Sequence, residues 1–166
     1  MVKLNYGANR VDFNNDGSED LVVLARRENF NAHGFDIASF YSEQPQDHDK
    51  LKKLGTISIF DNDKEKFTLD VSGGAGCLIR DFRLLKPKNG NQTLLIIATR
   101  KLSESYIEDN TVTFRYYRLE NNSAGEIGLP FAYFKLSEVQ QSKSNYCDVN
   151  KAFQNELGLD NYREMD

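Results

Sequence analysis

The sharpest chemical pattern in the 166-residue chain is Asp12-Phe13-Asn14-Asn15-Asp16-Gly17-Ser18-Glu19-Asp20, which fits D-x-N-x-D-G-x-x-D. A hard Ca²⁺ ion takes about six to eight oxygen ligands. Asp12, Asn14 and Asp16 alternate so that their side-chain oxygens point into one loop. Gly17 permits the sharp turn, Ser18 offers its carbonyl, and Asp20 completes the set. An EF-hand also requires a bidentate Glu further on, where this chain has Val23, so an EF-hand is excluded. An ion held here is structural, because every ligand is used in closing the loop. The competing reading is an Asx-rich turn that binds nothing.

The loop resembles the inter-strand calcium loops of integrin-type FG-GAP blades, which also run directly into an apolar strand such as Leu21-Val22-Val23-Leu24. Two polar clusters supply the remaining candidates. One is Arg26-Arg27-Glu28-Asn29-Phe30-Asn31-Ala32-His33-Gly34. The other gathers Arg80-Asp81 with Arg100 and Glu104-Ser105-Tyr106 at the ends of neighbouring strands. Guanidinium forks bind carboxylates bidentately. Arg26, Arg27, Arg80 and Arg100, with Asn29 and His33, are therefore the candidate ligand-binding residues for an acidic small molecule or a partner's acidic side chains. Ordinary ion pairs at solvated strand ends account for the same residues without a ligand. Arg80-Asp81 is the less ordinary of the two clusters, because it interrupts an otherwise apolar stretch.

Nothing marks out a catalytic centre. The chain has no G-x-S-x-G elbow, no P-loop, no HExxH and no Ser-x-x-Lys. Its two histidines, His33 and His48, stand apart, whereas a catalytic zinc needs three clustered ligands. Gly73-Gly74-Ala75-Gly76 lacks the Lys of a phosphate loop and reads as a close backbone approach or a bulge. No catalytic residue is assigned, and the protein is read as a non-enzyme.

The elements that position these residues are mostly strands. Phe35–Tyr41, Lys66–Val71 and Thr111–Tyr117 alternate with a period of two. Leu21–Ala25 and Leu94–Ala98 are continuous apolar runs, as expected for central strands covered on both faces. With Ile57–Phe60, Leu78–Leu85 and Phe131–Leu136, the pattern predicts a mainly β, single-domain antiparallel sandwich or barrel-like sheet of about eight or nine strands. Asn- and Asp-rich turns separate them. Residues 149–157 form the one convincing helix, with Asp148 as N-cap, an apolar face of Val149, Ala152, Phe153 and Leu157, and Gly158 as the stop. Ser42–Lys53 reads as a polar excursion ending in a short helical turn. No linker divides residues 1–166.

Composition bounds the function classes. A net charge of −4 gives no source for counterion-release binding to nucleic acid. The longest apolar run, Leu94–Ala98, is far too short to span a bilayer as a helix. Cys77 and Cys147 lie outside any zinc or redox spacing. They form either one long-range disulfide or two buried thiols. The even count favours the disulfide, which implies an oxidising compartment.

Four stretches together resemble one family: Asn14-Asn15-Asp16-Gly17 through Asp20-Leu21-Val22, Ala25–Gly34, Gly76-Cys77 through Asp81-Phe82-Arg83-Leu84, and Tyr146-Cys147-Asp148-Val149-Asn150-Lys151-Ala152. They are similar to the CarG-type carbapenem intrinsic-resistance proteins, exported proteins of Gram-negative bacteria. The resemblance implies a periplasmic protein whose signal peptide has been removed, acting beside a second resistance protein and without β-lactamase chemistry. The expected function is then non-enzymatic protection against carbapenems, by binding the β-lactam or by shielding its targets. The alternative expectation is a calcium-stabilised adhesion or interaction module.

Overall fold

The alternating and apolar segments build eleven strands and one helix in a computed structural model that describes residues 1–31, 33–44, 53–74, 76–86 and 92–163. In chain order these are β1 (Gly7–Val11), β2 (Asp20–Arg27), β3 (Phe35–Gln44), β4 (Lys53–Thr56), β5 (Ser58–Asp61), β6 (Lys64–Lys66), β7 (Leu69–Gly74), β8 (Cys77–Leu85), β9 (Leu94–Arg100), β10 (Asn110–Asn121), β11 (Ala132–Tyr146) and α1 (Val149–Leu157). The strands join in one open sheet, ordered β1-β2-β3-β7-β8-β9-β10-β11-β5-β6, with β4 added to β3.

The mainly β class and the single C-terminal helix agree with the sequence. The strand count is higher, because β1, β4 and β6 are short segments without an apolar alternation. One pairing, β5 with β11, is parallel. The helical turn expected before Lys53 lies outside the described residues.

The sheet curls over one core. Phe40 of β3 meets Phe134 of β11 with ring centroids 5.5 Å apart, although five ladders separate those strands. Phe13 and Phe82 complete an edge-to-face aromatic cluster with them, a geometry that ring quadrupoles favour. The hydrogen-bonded sheet does not close into a barrel. Instead the chain itself crosses the opening: β4 pairs with β3, the Ile57 amide donates to the Phe40 carbonyl at 2.8 Å, and β5 then pairs with β11.

Strand β9 shows why an unbroken apolar run was needed. Leu95 and Ile97 face the curled core, while Ile96 and Ala98 pack with Val112, Phe114, Val149, Ala152 and Phe153 under the helix. β2 departs from the same expectation. Val22 and Leu24 are buried, but Leu21 and Val23 are half-buried and Ala25 is exposed, so only one of its faces is fully packed. β11 runs well past Leu136, and its outer half is polar. That half is held by cross-strand bonds in which Thr113 Oγ1 donates to Gln141 Oε1 and Tyr116 Oη to Gln140 Oε1.

Helix α1 matches its expected span. The Asp148 carboxylate accepts from the Asn150 amide at 2.7 Å, and Gly158, at φ 65°, turns the chain out of the helix. The Cys77–Cys147 disulfide is formed, with Cα atoms 5.6 Å apart, within the ordinary range. It ties the first residue of β8 to the residue before the helix cap. Arg83 makes the second tie. It is wholly buried, pairs with Asp81 at 3.0 Å, donates from Nε to the Asp160 carbonyl and from Nη2 to Asn150 Oδ1 (both 2.6 Å), and lies 4.3 Å over the Phe153 ring. Beyond Arg80, past the last β7–β8 pair, the chain termini reach in: the Val2 amide donates to the Leu84 carbonyl and the Leu4 amide to the Tyr162 carbonyl.

Two outcomes follow. Replacing Cys77 and Cys147 together by Ser should lower unfolding free energy by about 2–4 kcal/mol, measured by chemical denaturation, because the bond closes a long loop. Arg83→Met should cost about 3–5 kcal/mol, since it leaves Asp81 buried without its counter-charge. Burial already pushes the Asp81 carboxyl above its usual range, against the pull of Arg83. A carboxyl raised in the folded state keeps a proton that the unfolded chain has lost, so stability falls as pH rises through that interval. The Arg83→Met deficit in urea unfolding should accordingly be larger at pH 8 than at pH 5.

Candidate functional site

Alternation along three central strands turns a set of polar side chains toward the curled core near one end. On β8, Arg80 shares a face with the core residues Phe82 and Leu84; on β9, Thr99 follows Ile97; on β10, Arg115 and Tyr117 precede Leu119. Register places Arg80 opposite Thr99, and Ile97 opposite Arg115. These residues, with Lys66 of β6, Thr68, and the β5 and β7 residues Ile59, Asp61, Leu69 and Asp70, line a cavity of about 240 Å³.

Its charges are partly paired. Arg80 Nη1 lies 2.7 Å from Asp70 Oδ1, and Ser72 Oγ donates to the other Asp70 oxygen. Arg115 Nε stands 3.8 Å from Asp61 Oδ2. Burial lifts the Tyr117 hydroxyl to about 12, so it remains a neutral donor at physiological pH. A bulge between Ser72 and Gly73 sets the Arg80 position, and Gly73 is required there: a Cβ would come within 2.3 Å of the Cys77 carbonyl oxygen. The close approach read from the glycine run is present. Chemically, the cavity can accept an anionic group between guanidiniums over an apolar floor.

The other predicted residues do not gather here. Arg26 bonds Glu28 at 3.1 Å and Asp36 at 3.3 Å, and Glu28 also accepts the Asn29 and Phe30 amides, all of which hold its carboxyl below the usual range. Asn29 donates to the His33 carbonyl, and the His33 ring stands 5.5 Å from Tyr106. Arg27 lies over the Phe35 ring. Arg26, Asn29 and His33 thus brace the loop between β2 and β3.

The second expected cluster also separates. Strand alternation turns Asp81 and Arg100 to the helix side of the sheet, away from Arg80. Asp81 pairs with Arg83. Arg100 is buried, donates from Nη1 to the Glu108 carbonyl, and leaves Nε and Nη2 unpaired among the described residues.

Asp12–Asp20 forms the turn between β1 and β2. Asp12 accepts the Asn15 and Gly17 amides, Asn14 accepts the Asp16 amide, and Asp16 accepts the Ser18 amide and the Asn14 side chain. Asp20 is buried and accepts the Phe13 amide; burial, with Asp16 and Asp12 nearby, raises it to about 6. No group of three or more His, Cys, Asp or Glu side chains is poised on a metal position among the described residues. The donors are nonetheless hard oxygens, and a cation would offset the charge crowded around Asp20.

Sequence reasoning missed Arg115, Tyr117 and Lys66 at the cavity, and Arg83 beneath the helix. The period-two pattern already placed Thr113, Arg115 and Tyr117 on one face of their strand. What it did not show was which face met Arg80.

A family model described as "Carbapenem resistance protein CarG-like" matches residues 4–155. A solved structure, described as the crystal structure of CarG, superposes with a TM-score of 0.74 at 25% sequence identity, covering 93% of this chain and 93% of that one. No curated protein sequence matches the chain significantly. The chain belongs to the CarG-like family of carbapenem resistance proteins.

Proposed function

We propose that this protein confers resistance to carbapenem antibiotics from the periplasm, without destroying them, by binding the drug or by shielding its targets together with a second resistance protein. The observation that carries the reading is the extent of the likeness. It runs through 93% of both chains, and the family model spans residues 4–155, which take in the cavity strands and most of the helix. The Cys77–Cys147 disulfide supports an oxidising compartment. The reading without turnover is supported by His33, the histidine among the described residues, which sits on the β2–β3 loop against Tyr106 of the β9–β10 connection and does not line the cavity with Thr68, Thr99 and Tyr117.

Calcium is the proposed structural cofactor, held by Asp12, Asn14, Asp16, the Ser18 carbonyl and Asp20. The observation favouring it is the buried Asp20 carboxylate, whose charge is opposed by those of Asp16, Asp12 and Glu43. When bound, the ion would supply counter-charge to the turn between β1 and β2 and take no part in chemistry on a drug. A calcium-stabilised interaction module remains the second reading of the same loop.

Expression in a susceptible bacterium, with and without an export signal, tests the main reading. Survival on a carbapenem should rise only for the exported form, and purified protein should leave the lactam absorbance of many equivalents of drug unchanged. Catalytic loss of that absorbance would overturn the non-enzymatic reading. For the loop, millimolar Ca²⁺ should raise the melting temperature by several degrees, reversibly with EDTA. Saturation about a hundredfold above Kd is worth about 2.7 kcal/mol. An unchanged melting curve would remove the calcium assignment.

A further inference from the structure

The cavity lined by Arg80 has a charge imbalance that its structural ion pairs do not remove. Three cations, Lys66, Arg80 and Arg115, face two carboxylates, Asp61 and Asp70. We infer that this cavity is a binding site for a compact small molecule carrying a single carboxylate, seated between Arg80 and Arg115. Its floor of Ile59, Leu69 and Ile97 belongs to or adjoins the packed core, so a bound molecule meets an apolar surface beneath its charged group.

The hydrogen-bonding groups match that chemistry. Arg80 commits Nη1 to Asp70, while Arg115 lies only loosely against Asp61, so a ligand carboxylate has guanidinium donors to engage. A carboxylate gains most from such forks, through paired charge-assisted bonds. Tyr117 stays protonated and can donate to a carbonyl, and Thr68 and Thr99 can donate or accept at the rim. At about 240 Å³ the cavity lies below the roughly 300–1,000 Å³ of a drug-sized site, which restricts it to something the size of a fused bicycle. The carbapenem nucleus, a fused bicycle with one ring carboxylate, meets these conditions. Naming the drug as occupant rests on the resistance reading above, whereas the carboxylate class does not.

Calorimetric titration of the intact protein separates the two claims. The probes are a simple carbapenem, its methyl ester, and N-acetylproline as a ring carboxylate that is not a drug. The free-acid carbapenem should bind, with the ester weaker by roughly tenfold or more, since the lost contacts are charge-assisted. Arg80→Gln and Arg115→Gln should each weaken binding by roughly tenfold with little change in melting temperature, because both side chains are partly exposed. Arg26→Gln, on the β2–β3 loop, should leave binding intact. Binding of N-acetylproline without the carbapenem would uphold the site and sink direct drug capture. Undiminished carbapenem binding by the Arg80→Gln/Arg115→Gln variant would sink the site and leave drug capture standing. Silence from all three probes would overturn the site.

Discussion

Arg83 carries a full positive charge into the layer between β8 and α1, where water does not reach it. Taking a guanidinium out of water costs several kcal/mol, and the cost is offset only when its donors and charge are answered. Here Asp81 answers the charge, the Asp160 carbonyl and Asn150 side chain answer donors, and Phe153 and Tyr162 lie against the guanidinium. Those partners come from the sheet, the helix and the segment after it. The helix therefore cannot shift without stranding a charge, and its place on the outer face is set by electrostatics as much as by the burial of Val149, Ala152 and Phe153.

This division of labour between the faces of β8 and β9 organises the molecule. Ile96, Ala98, Asp81 and Arg100 serve the helix side. Phe82, Ile97, Arg80 and Thr99 serve the curled core and the cavity at its end. A one-residue slip of β8 on β9 would exchange the faces of the β8 residues and turn Arg80 from the cavity toward the helix. The disulfide at Cys77, the bulge at Ser72–Gly73 and the close approach at Gly73 all lie at the start of β8, where such a slip would begin.

The sequence was legible where one local rule decided the outcome. Asp148 and Gly158 bracketed the helix, and the run from Leu94 to Ala98 announced a strand covered on both sides. It was silent where pairing was decided at a distance. Nothing local to Asp81 named Arg83 as its partner, and nothing in Lys64-Glu65-Lys66 announced a strand, since β5 alone holds it in the sheet. Arg80 and Arg100 looked like one cluster because both sit near strand ends. Their opposite faces follow only from the register of β8 on β9. The polar half of β11 was missed for a similar reason: its order comes from Thr, Tyr and Gln bonds to β10, which leave no hydrophobic trace.

An open sheet keeps free rims, each offering main-chain donors and acceptors to any strand that drifts past. In this protein the last strand on one rim is Lys64-Glu65-Lys66, three charged and exposed side chains on the shortest strand of the fold. An incoming chain would have to strip water from those charges before gaining its first ladder bond, a common way for β-proteins to resist templating fibrils. The opposite rim ends on β1, where Asn9 turns its amide onto the Asn5 and Gly7 carbonyls of its own segment. Neither of these borders therefore offers much to nucleate aggregation.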